Sequence, residues 1–451
     1  MRARVATRRA VRKPVNASIP GMSAYPSEPT SEARLRRDLN DANGPPGPAL
    51  AADPRLQELA DQCVMCGLCL PHCPTYRISL DEAESPRGRI ALARWLATGR
   101  LAPGPVALAH LDQCLACLSC QKVCPSEVRY EEILTRSRAA IAARRPRSGI
   151  VGRWLARPDR LVGLARIGVW LNASRWVPGL VRGLPRASRI RAIGERIPDL
   201  PRASDAGTAS TSPRDRGRVV LFRGCVASVY DRDTHVAARV LLEALGYDVR
   251  VPAGTPCCGA LARHAGDAAA ADRQSADAGA ALADADADVV LVSASGCFGD
   301  LRDHAVTAGG PAVTEIHAFI ARDERLARLR FRPLAARAAL HLPCTQVNVA
   351  GGVSAIRSLL ARIPGLTVLA LPEQPRCCGA AGAYFIEHAA IADRLRAEKL
   401  AQAIAQKPDV LLTTNIGCRI HLGNGLRDRS LGIPVRHPLA LLAQQLDNGS
   451  S

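Results

Sequence analysis

Aromatic residues are scarce in this sequence. Phe, Trp and Tyr make up 3% of its 451 residues, so its cores must rest on Ala, Leu and Val within an apolar fraction of 47%. No run of about 18 or more apolar residues occurs, which excludes a helix that spans a membrane. The basic N-terminus lacks the apolar stretch of a secretory signal, and Met22 is an alternative start. Sixteen cysteines without such a signal point to reduced thiols and metal sites rather than disulfides, and to a cytoplasmic chain. No Gly-x-Gly-x-x-Gly follows an expected strand and no Walker A loop is present, so no dinucleotide or nucleotide site is recognisable. Gly379-Ala380-Ala381-Gly382 is too short to serve as one. No Ser/His/Asp set stands out. Lysine is nearly absent: Lys13, Lys122, Lys399 and Lys407 stand among 60 basic residues, a bias of composition that carries no function.

The formal charge of +19 is unevenly spread. Residues 1–50 carry +5, and residues 136–197 carry +13 from fifteen Arg against Asp159 and Glu195. The rest of the chain is close to neutral. Composition and pattern divide the sequence into five parts. Residues 1–55 are rich in Pro, Ser, Ala and Arg without a sustained period and read as a disordered tail. Residues 56–135 hold the first eight cysteines. Residues 136–215 form a basic connector. Residues 216–330 and 331–446 alternate short apolar runs with Ala-rich helices, the pattern of an α/β fold.

The first eight cysteines repeat one spacing, Cys-x-x-Cys-x-x-Cys-x-x-x-Cys-Pro. The runs are Cys63, Cys66, Cys69, Cys73 with Pro74, and Cys114, Cys117, Cys120, Cys124 with Pro125. This is the ligand spacing of bacterial ferredoxins that carry two 4Fe–4S clusters, in which the fourth cysteine of each run reaches the other cluster. Cys63, Cys66, Cys69 and Cys124 are therefore expected at one cluster, and Cys114, Cys117, Cys120 and Cys73 at the other. A zinc site would instead show two separated Cys-x-x-Cys pairs. Between the runs, Gly88 to Thr98 has helical spacing after a turn at Ser85-Pro86-Arg87-Gly88-Arg89. Arg87 and Arg89 read either as charges beside a cluster or as solvated residues of a helix start.

The C-terminal half is an internal duplication. In the first copy, strands are expected at Val219 to Phe222, Asp248 to Val251 and Val289 to Val292. They lead to Gly224-Cys225, Cys257-Cys258-Gly259 and Gly296-Cys297. In the second copy, Ala339 to Leu342, Thr367 to Leu371 and Val410 to Thr413 lead to Pro343-Cys344, Cys377-Cys378-Gly379 and Gly417-Cys418. Helices are expected over Thr234 to Leu245, Ser354 to Arg362 and His388 to Ala405. Ligand sites of α/β sheets gather at the carboxyl ends of strands, so each copy brings four thiols to one end of its sheet. A redox-active vicinal disulfide at Cys-Cys is the alternative.

This half resembles the cysteine-rich CCG domains of the heterodisulfide reductase family, whose pattern is one Cys, then Cys-Cys-Gly, then Cys-x-x-Cys. The last cysteine is replaced here by Asp300 in the first copy and His421 in the second. The resemblance implies one or two further iron–sulfur clusters, at Cys225, Cys257, Cys258 and Cys297 and at Cys344, Cys377, Cys378 and Cys418. His421 is either an added ligand or a hydrogen-bonding neighbour. From Leu56 to Leu446 the chain also resembles the iron–sulfur subunits of glycolate oxidase. The likeness lies in Cys63-Val64-Met65-Cys66-Gly67-Leu68-Cys69, Pro86-Arg87-Gly88-Arg89, Thr414-Asn415-Ile416-Gly417-Cys418 with His421-Leu422, and Val435-Arg436-His437-Pro438. Iron–sulfur subunits of D-lactate, L-lactate and anaerobic glycerol-3-phosphate dehydrogenases share the cysteine motifs, as do thiol/disulfide reductases.

The implied fold class is α+β and multi-domain: an α-helical ferredoxin-like domain with two 4Fe–4S clusters, then the duplicated α/β cysteine-rich region. Oxidising an alcohol beside a carboxylate needs an acceptor such as flavin, and nothing here binds one recognisably. The expectation is a division of labour. An FAD-binding 2-hydroxy acid dehydrogenase subunit takes two electrons, and this chain passes them singly towards a quinone or other acceptor. It is not expected to oxidise substrate alone, and no catalytic residue is assigned. In the connector, Trp154, Trp170 and Trp176 stand among Leu and Arg over residues 150–184. That mixture suits peripheral contact with the inner face of a membrane or packing on protein. No recognition module for nucleic acid accompanies the charge.

Overall fold

The computed structural model describes residues 53–144 and 215–447, apart from 253, 255, 286, 307–309 and 373–376. The N-terminal tail and most of the basic connector, with its three Trp and residues 150–184, lie outside the described residues. Among those described, no helix is long and apolar enough to cross a membrane.

The first part is helical. Helix α1 (Pro54–Asp61) starts where the Asp53 carboxylate accepts from Leu56 N at 3.1 Å, with Pro at the first position. Helix α2 (Pro86–Ala97) repeats that start: Ser85 Oγ accepts from Gly88 N at 2.9 Å, and Pro86 follows. Helices α3 (Pro105–Asp112) and α4 (Tyr130–Arg144) complete the group. Leu56, Leu59, Ile90, Leu96, Leu111 and Ile133 meet between them as a dry core. Helix α4 runs unbroken through residues 135 and 136, where the change of composition suggests that the connector begins.

The C-terminal half contains two four-stranded parallel sheets of the same order. The first is β2-β1-β3-β4, from β1 (Arg218–Phe222), β2 (Asp248–Arg250), β3 (Val289–Val292) and β4 (Ala312–Glu315). The second is β6-β5-β7-β8, from β5 (Ala336–His341), β6 (Leu366–Ala370), β7 (Val410–Thr413) and β8 (Val435–Arg436). The central strands β1, β3, β5 and β7 are nearly continuous Val, Leu and Ala, as strands covered on both faces must be. The structure is therefore mixed α+β. Its order confirms the duplication and adds two short edge strands, β4 and β8, beyond the six expected from the sequence.

The two copies share one core. Val219, Leu221 and Leu291 of the first sheet meet Ala338, Leu340 and Leu412 of the second. Helix α5 (Arg232–Ala244) packs on helix α6 (Pro438–Gln445), which caps the other copy. Arg419 adds a polar tie. It reaches Asp233 with two bonds of 2.7 Å and also pairs with Asp231. The second copy is thus fixed against the first and is not a loosely tethered repeat.

Candidate metal centres

The two ferredoxin-type runs fold into the same loop. Met65 and Gly67 take positive φ of 58° and 84°, and their counterparts Ala116 and Leu118 take 48° and 57°. Three of these four are not glycine, so the left-handed conformation is maintained against a steric cost by what surrounds it. A Cβ on Gly67 would lie 2.9 Å from Arg87 Nη1, which itself donates to Met65 O at 3.1 Å. Arg87 also pairs with Glu82 at 2.6 Å, so it braces the first loop while lining the cavity beside it.

Cys63, Cys66, Cys69, Cys120 and Cys124 line one pocket, with Pro86, Ile90 and Tyr130 in its walls. The four that the crossed spacing assigns to one cluster are among them, together with Cys120 of the other set. Cys66 is exposed, and Val64 (69%) and Leu68 (57%) form an apolar rim beside it. The second site lies deeper. Cys73, Cys114, Cys117 and Cys120 are all buried. Burial raises the Cys120 pKa well above the ordinary thiol value, and Cys117, Cys114 and Cys73 crowd it further in that direction. Burial likewise pushes Cys69 up to about 11. Thiols so placed stay protonated unless a cation joins them, and a bound metal deprotonates them outright. Two groups of four thiols thus fit iron–sulfur ligation, and they fit poorly as unpaired thiolates.

Two buried arginines, Arg89 and Arg138, stand at the deeper site. Arg89 is 1% exposed. It donates to Thr75 Oγ1 at 2.9 Å and to His110 O at 2.7 Å, and it pairs with the buried Glu84 carboxylate. Thr75 Oγ1 lies 3.3 Å from Cys73 Sγ. Burial alone would lower the Arg89 pKa, but Cys114, Tyr130, Glu84 and Cys73 together hold it above its usual value. Both arginines thus stand beside thiol sites: Arg89 is buried at the deeper one, and Arg87 braces the first loop and lines the cavity of the outer one. Arg138 is also close, donating to Cys114 O at 2.6 Å and to His264 O at 3.0 Å. Tyr130 OH lies 3.5 Å from Cys114 Sγ.

The deeper site abuts the second cysteine-rich copy. Cys117 and Cys377 share one buried cluster with Leu115, Tyr384 and Phe385, and Cys344 packs against it. Asn348 donates to Cys117 O at 2.7 Å, and Tyr384 OH donates to Gln113 O at 3.0 Å.

Each copy gathers its own four thiols. In the first, Cys257 and Cys225 lie 3.6 Å apart. Contacts with Cys225 and then Cys258 pull the Cys257 pKa below the ordinary thiol value. In the second, Cys378 and Cys418 are 3.1 Å apart, and the Cys418 thiol, then His341, pull Cys378 down. The residues standing at the missing cysteines diverge. Asp300 is held by Arg263 at 2.8 Å. His421 is fully buried, with Nε2 3.1 Å from Ala392 O. His341, Arg138, Tyr130 and Asn348 were not singled out by sequence.

Comparison with known proteins agrees with this arrangement. The family model described as "4Fe-4S dicluster domain" matches residues 59–128, and that described as "Cysteine-rich domain" matches residues 219–302 and again 338–423. The glycolate oxidase iron-sulfur subunit of Escherichia coli is 30% identical over 88% of this chain and 96% of its own length. A probable glycolate oxidase iron-sulfur subunit of Bacillus subtilis is 29% identical over 83% of this chain and 90% of its own. A fumarate reductase (CoM/CoB) subunit of Methanothermobacter marburgensis is 24% identical over 84% of this chain and 71% of its own.

Proposed function

The chain belongs to the family of glycolate oxidase iron–sulfur subunits, and from that premise we propose that it carries electrons from a partner flavoprotein to a later acceptor. The donor is an FAD-binding subunit that oxidises glycolate or a related 2-hydroxy acid. The acceptor is a quinone or another carrier. The chain works as one subunit of that oxidoreductase and does not oxidise the substrate by itself.

One observation carries this reading: two like loops present eight thiols at two adjoining sites, one open and one buried. Iron–sulfur cubes at such sites supply one-electron capacity with potentials set by charge, hydrogen bonds and exposure. Cys63, Cys66, Cys69 and Cys124 hold the outer one. Cys114, Cys117, Cys120 and Cys73 hold the inner one. The left-handed residues fix each loop so that its thiols converge. Arg89 and Arg138 offset negative charge at the inner site and keep water from it. At the outer site, exposed Cys66 with Val64 and Leu68 forms the place where a partner protein approaches.

The test is to mix the anaerobic chain with its flavoprotein and glycolate. Bleaching of the iron–sulfur absorbance should need both additions. Glycolate oxidation by this chain alone would refute the division of labour.

A further inference from the structure

Helix α4 takes hold of Cys114 twice. Its first residue, Tyr130, puts OH 3.5 Å from Cys114 Sγ, and about two turns further on Arg138 donates to Cys114 O at 2.6 Å. Tyr130 is buried, and a buried phenol normally finds a hydrogen-bond partner. Burial holds its pKa well above the ordinary value, and Cys114 adds to that, so the O–H stays a donor. Thr75 Oγ1 also stands beside an inner-site sulfur, 3.3 Å from Cys73 Sγ. A hydroxyl has one proton to give, and Thr75 donates its own to Glu84 O at 3.0 Å while accepting from Arg89. Among the described residues, this leaves Tyr130 as the hydroxyl that donates to a sulfur of the inner site. The same side chain has a second place. It lines the outer pocket with Cys63, Cys66, Cys69 and Cys124, and it packs in one core with Cys114 and Cys120. Tyr130 thus touches both thiol sites, and its hydroxyl serves the inner one.

We propose that Tyr130 is a positioning residue that sets the order of the two centres: its O–H bond to Cys114 raises the potential of the inner centre and draws electrons inward from the outer one. The proposal rests on the reading that both sites hold clusters. Hydrogen bonds to the sulfurs are among the factors that set such potentials. Reduction adds negative charge to the cluster and its ligand sulfurs, so a donor aimed at one of them holds the reduced form more strongly than the oxidised form. A bond between a neutral donor and a charged acceptor is stronger than one between neutral groups, and the buried site leaves it unscreened by solvent. The step moves one electron and no proton. The outer centre is oxidised, the inner centre is reduced, and the phenolic proton stays on Tyr130. Arg89 acts on the same centre through charge, on the side of Cys73, whereas Tyr130 acts at Cys114 through a neutral donor. The two contributions are therefore separable.

The test is an EPR-monitored redox titration of the full-length chain, purified without oxygen, beside Tyr130→Phe and a chain with 3-fluorotyrosine placed at residue 130 alone. Tyr130→Phe keeps the ring and removes the donor. It should shift the distribution of electrons between the two centres about tenfold towards the outer one, or ~59 mV for one electron, with the inner potential falling and the outer nearly still. Fluorine makes the phenol a stronger donor, so 3-fluorotyrosine should move the inner potential upward. A residue that merely fills space would not produce opposite shifts. Electron–nuclear double resonance in heavy water should also show an exchangeable proton coupled to the inner centre in the wild type and missing from Tyr130→Phe. If Tyr130→Phe does not fold, the fluorinated chain and the proton coupling decide the matter. Both centres present with the inner potential unmoved in the variants, a shift shared equally by the outer centre, or no exchangeable proton at the wild-type inner centre would overturn the role of Tyr130 alone. A wild-type chain without both centres would remove the two-cluster reading, and this proposal with it.

Discussion

Replacing Arg89 with Gln should lower the reduction potential of the inner centre selectively. The Arg89 guanidinium is 2.9 Å from Thr75 Oγ1, which is 3.3 Å from Cys73 Sγ, so the charge lies within about 6 Å of a ligand sulfur. The centre of a cube bound there is a few ångströms further. With an effective dielectric of about 20, one charge at roughly 6–9 Å is worth about 2–3 kcal/mol. A tenfold change in a one-electron equilibrium is about 59 mV, so the expected shift is roughly 80–120 mV. Its sign is negative, because reduction adds negative charge that Arg89 no longer offsets. Glu84→Gln should move the potential the other way, and the double variant should lie between. Arg89→Gln also leaves the Glu84 carboxylate, 4% exposed, with only His110 at 2.6 Å. Breaking a buried pair in this way costs about 3–5 kcal/mol of stability, and the double variant should recover part of it. EPR-monitored redox titration of both centres is the assay. An inner potential that moves by less than about 20 mV, or an outer centre that shifts as far, would refute the electrostatic reasoning.

Two other outcomes follow from packing and burial. A Cβ on Gly88 would lie 1.9 Å from the backbone oxygen of Glu82, so Gly88→Ala must displace the segment that carries Glu84; denaturant unfolding should show a loss of about 2–3 kcal/mol. Burial, then Arg223, lowers the His235 pKa to about 4, and neither ring nitrogen has a hydrogen-bond partner. The unfolded chain therefore binds the proton first as pH falls. Stability is full above the ordinary value of 6.5 and declines towards pH 4, by about 2 kcal/mol from this residue at pH 5. His235→Phe should flatten that part of the stability–pH curve, and an unchanged slope would contradict the assignment.

Much of this structure is legible in the sequence because its signals are covalent or periodic. The cysteine spacings and the offset of the duplication need no tertiary information. Apolar runs such as Val289–Val292 and Val410–Thr413 coincide with β3 and β7. The edge strands β4 and β8 escape notice because Ala-Val-Thr-Glu and Val-Arg are too short for a period to show. Arg138 counts as one more charge of a basic stretch until the fold buries it against Cys114 and His264. His341 looks like the end of a strand, and only the geometry brings it to Cys378 and Cys418. Its one signal in the sequence is the mismatch with Phe222 at the repeat offset. That Arg89 is buried at the deeper site while Arg87 lines the outer one depends on which side of α2 is buried, which the turn Ser85-Pro86-Arg87-Gly88-Arg89 does not specify alone.

The most direct test is whether two clusters are held crosswise in series. Cys124→Ser and Cys73→Ser are purified anaerobically and compared by iron content and EPR. The expected result is selective damage across the runs. Cys124→Ser should disturb the centre of Cys63, Cys66 and Cys69 and leave the other intact. Cys73→Ser should disturb that of Cys114, Cys117 and Cys120. Each variant should keep at least the roughly four irons of the untouched cube. Damage confined in each case to the variant's own run, or a wild-type chain with no more than about four irons, would contradict the two-centre reading.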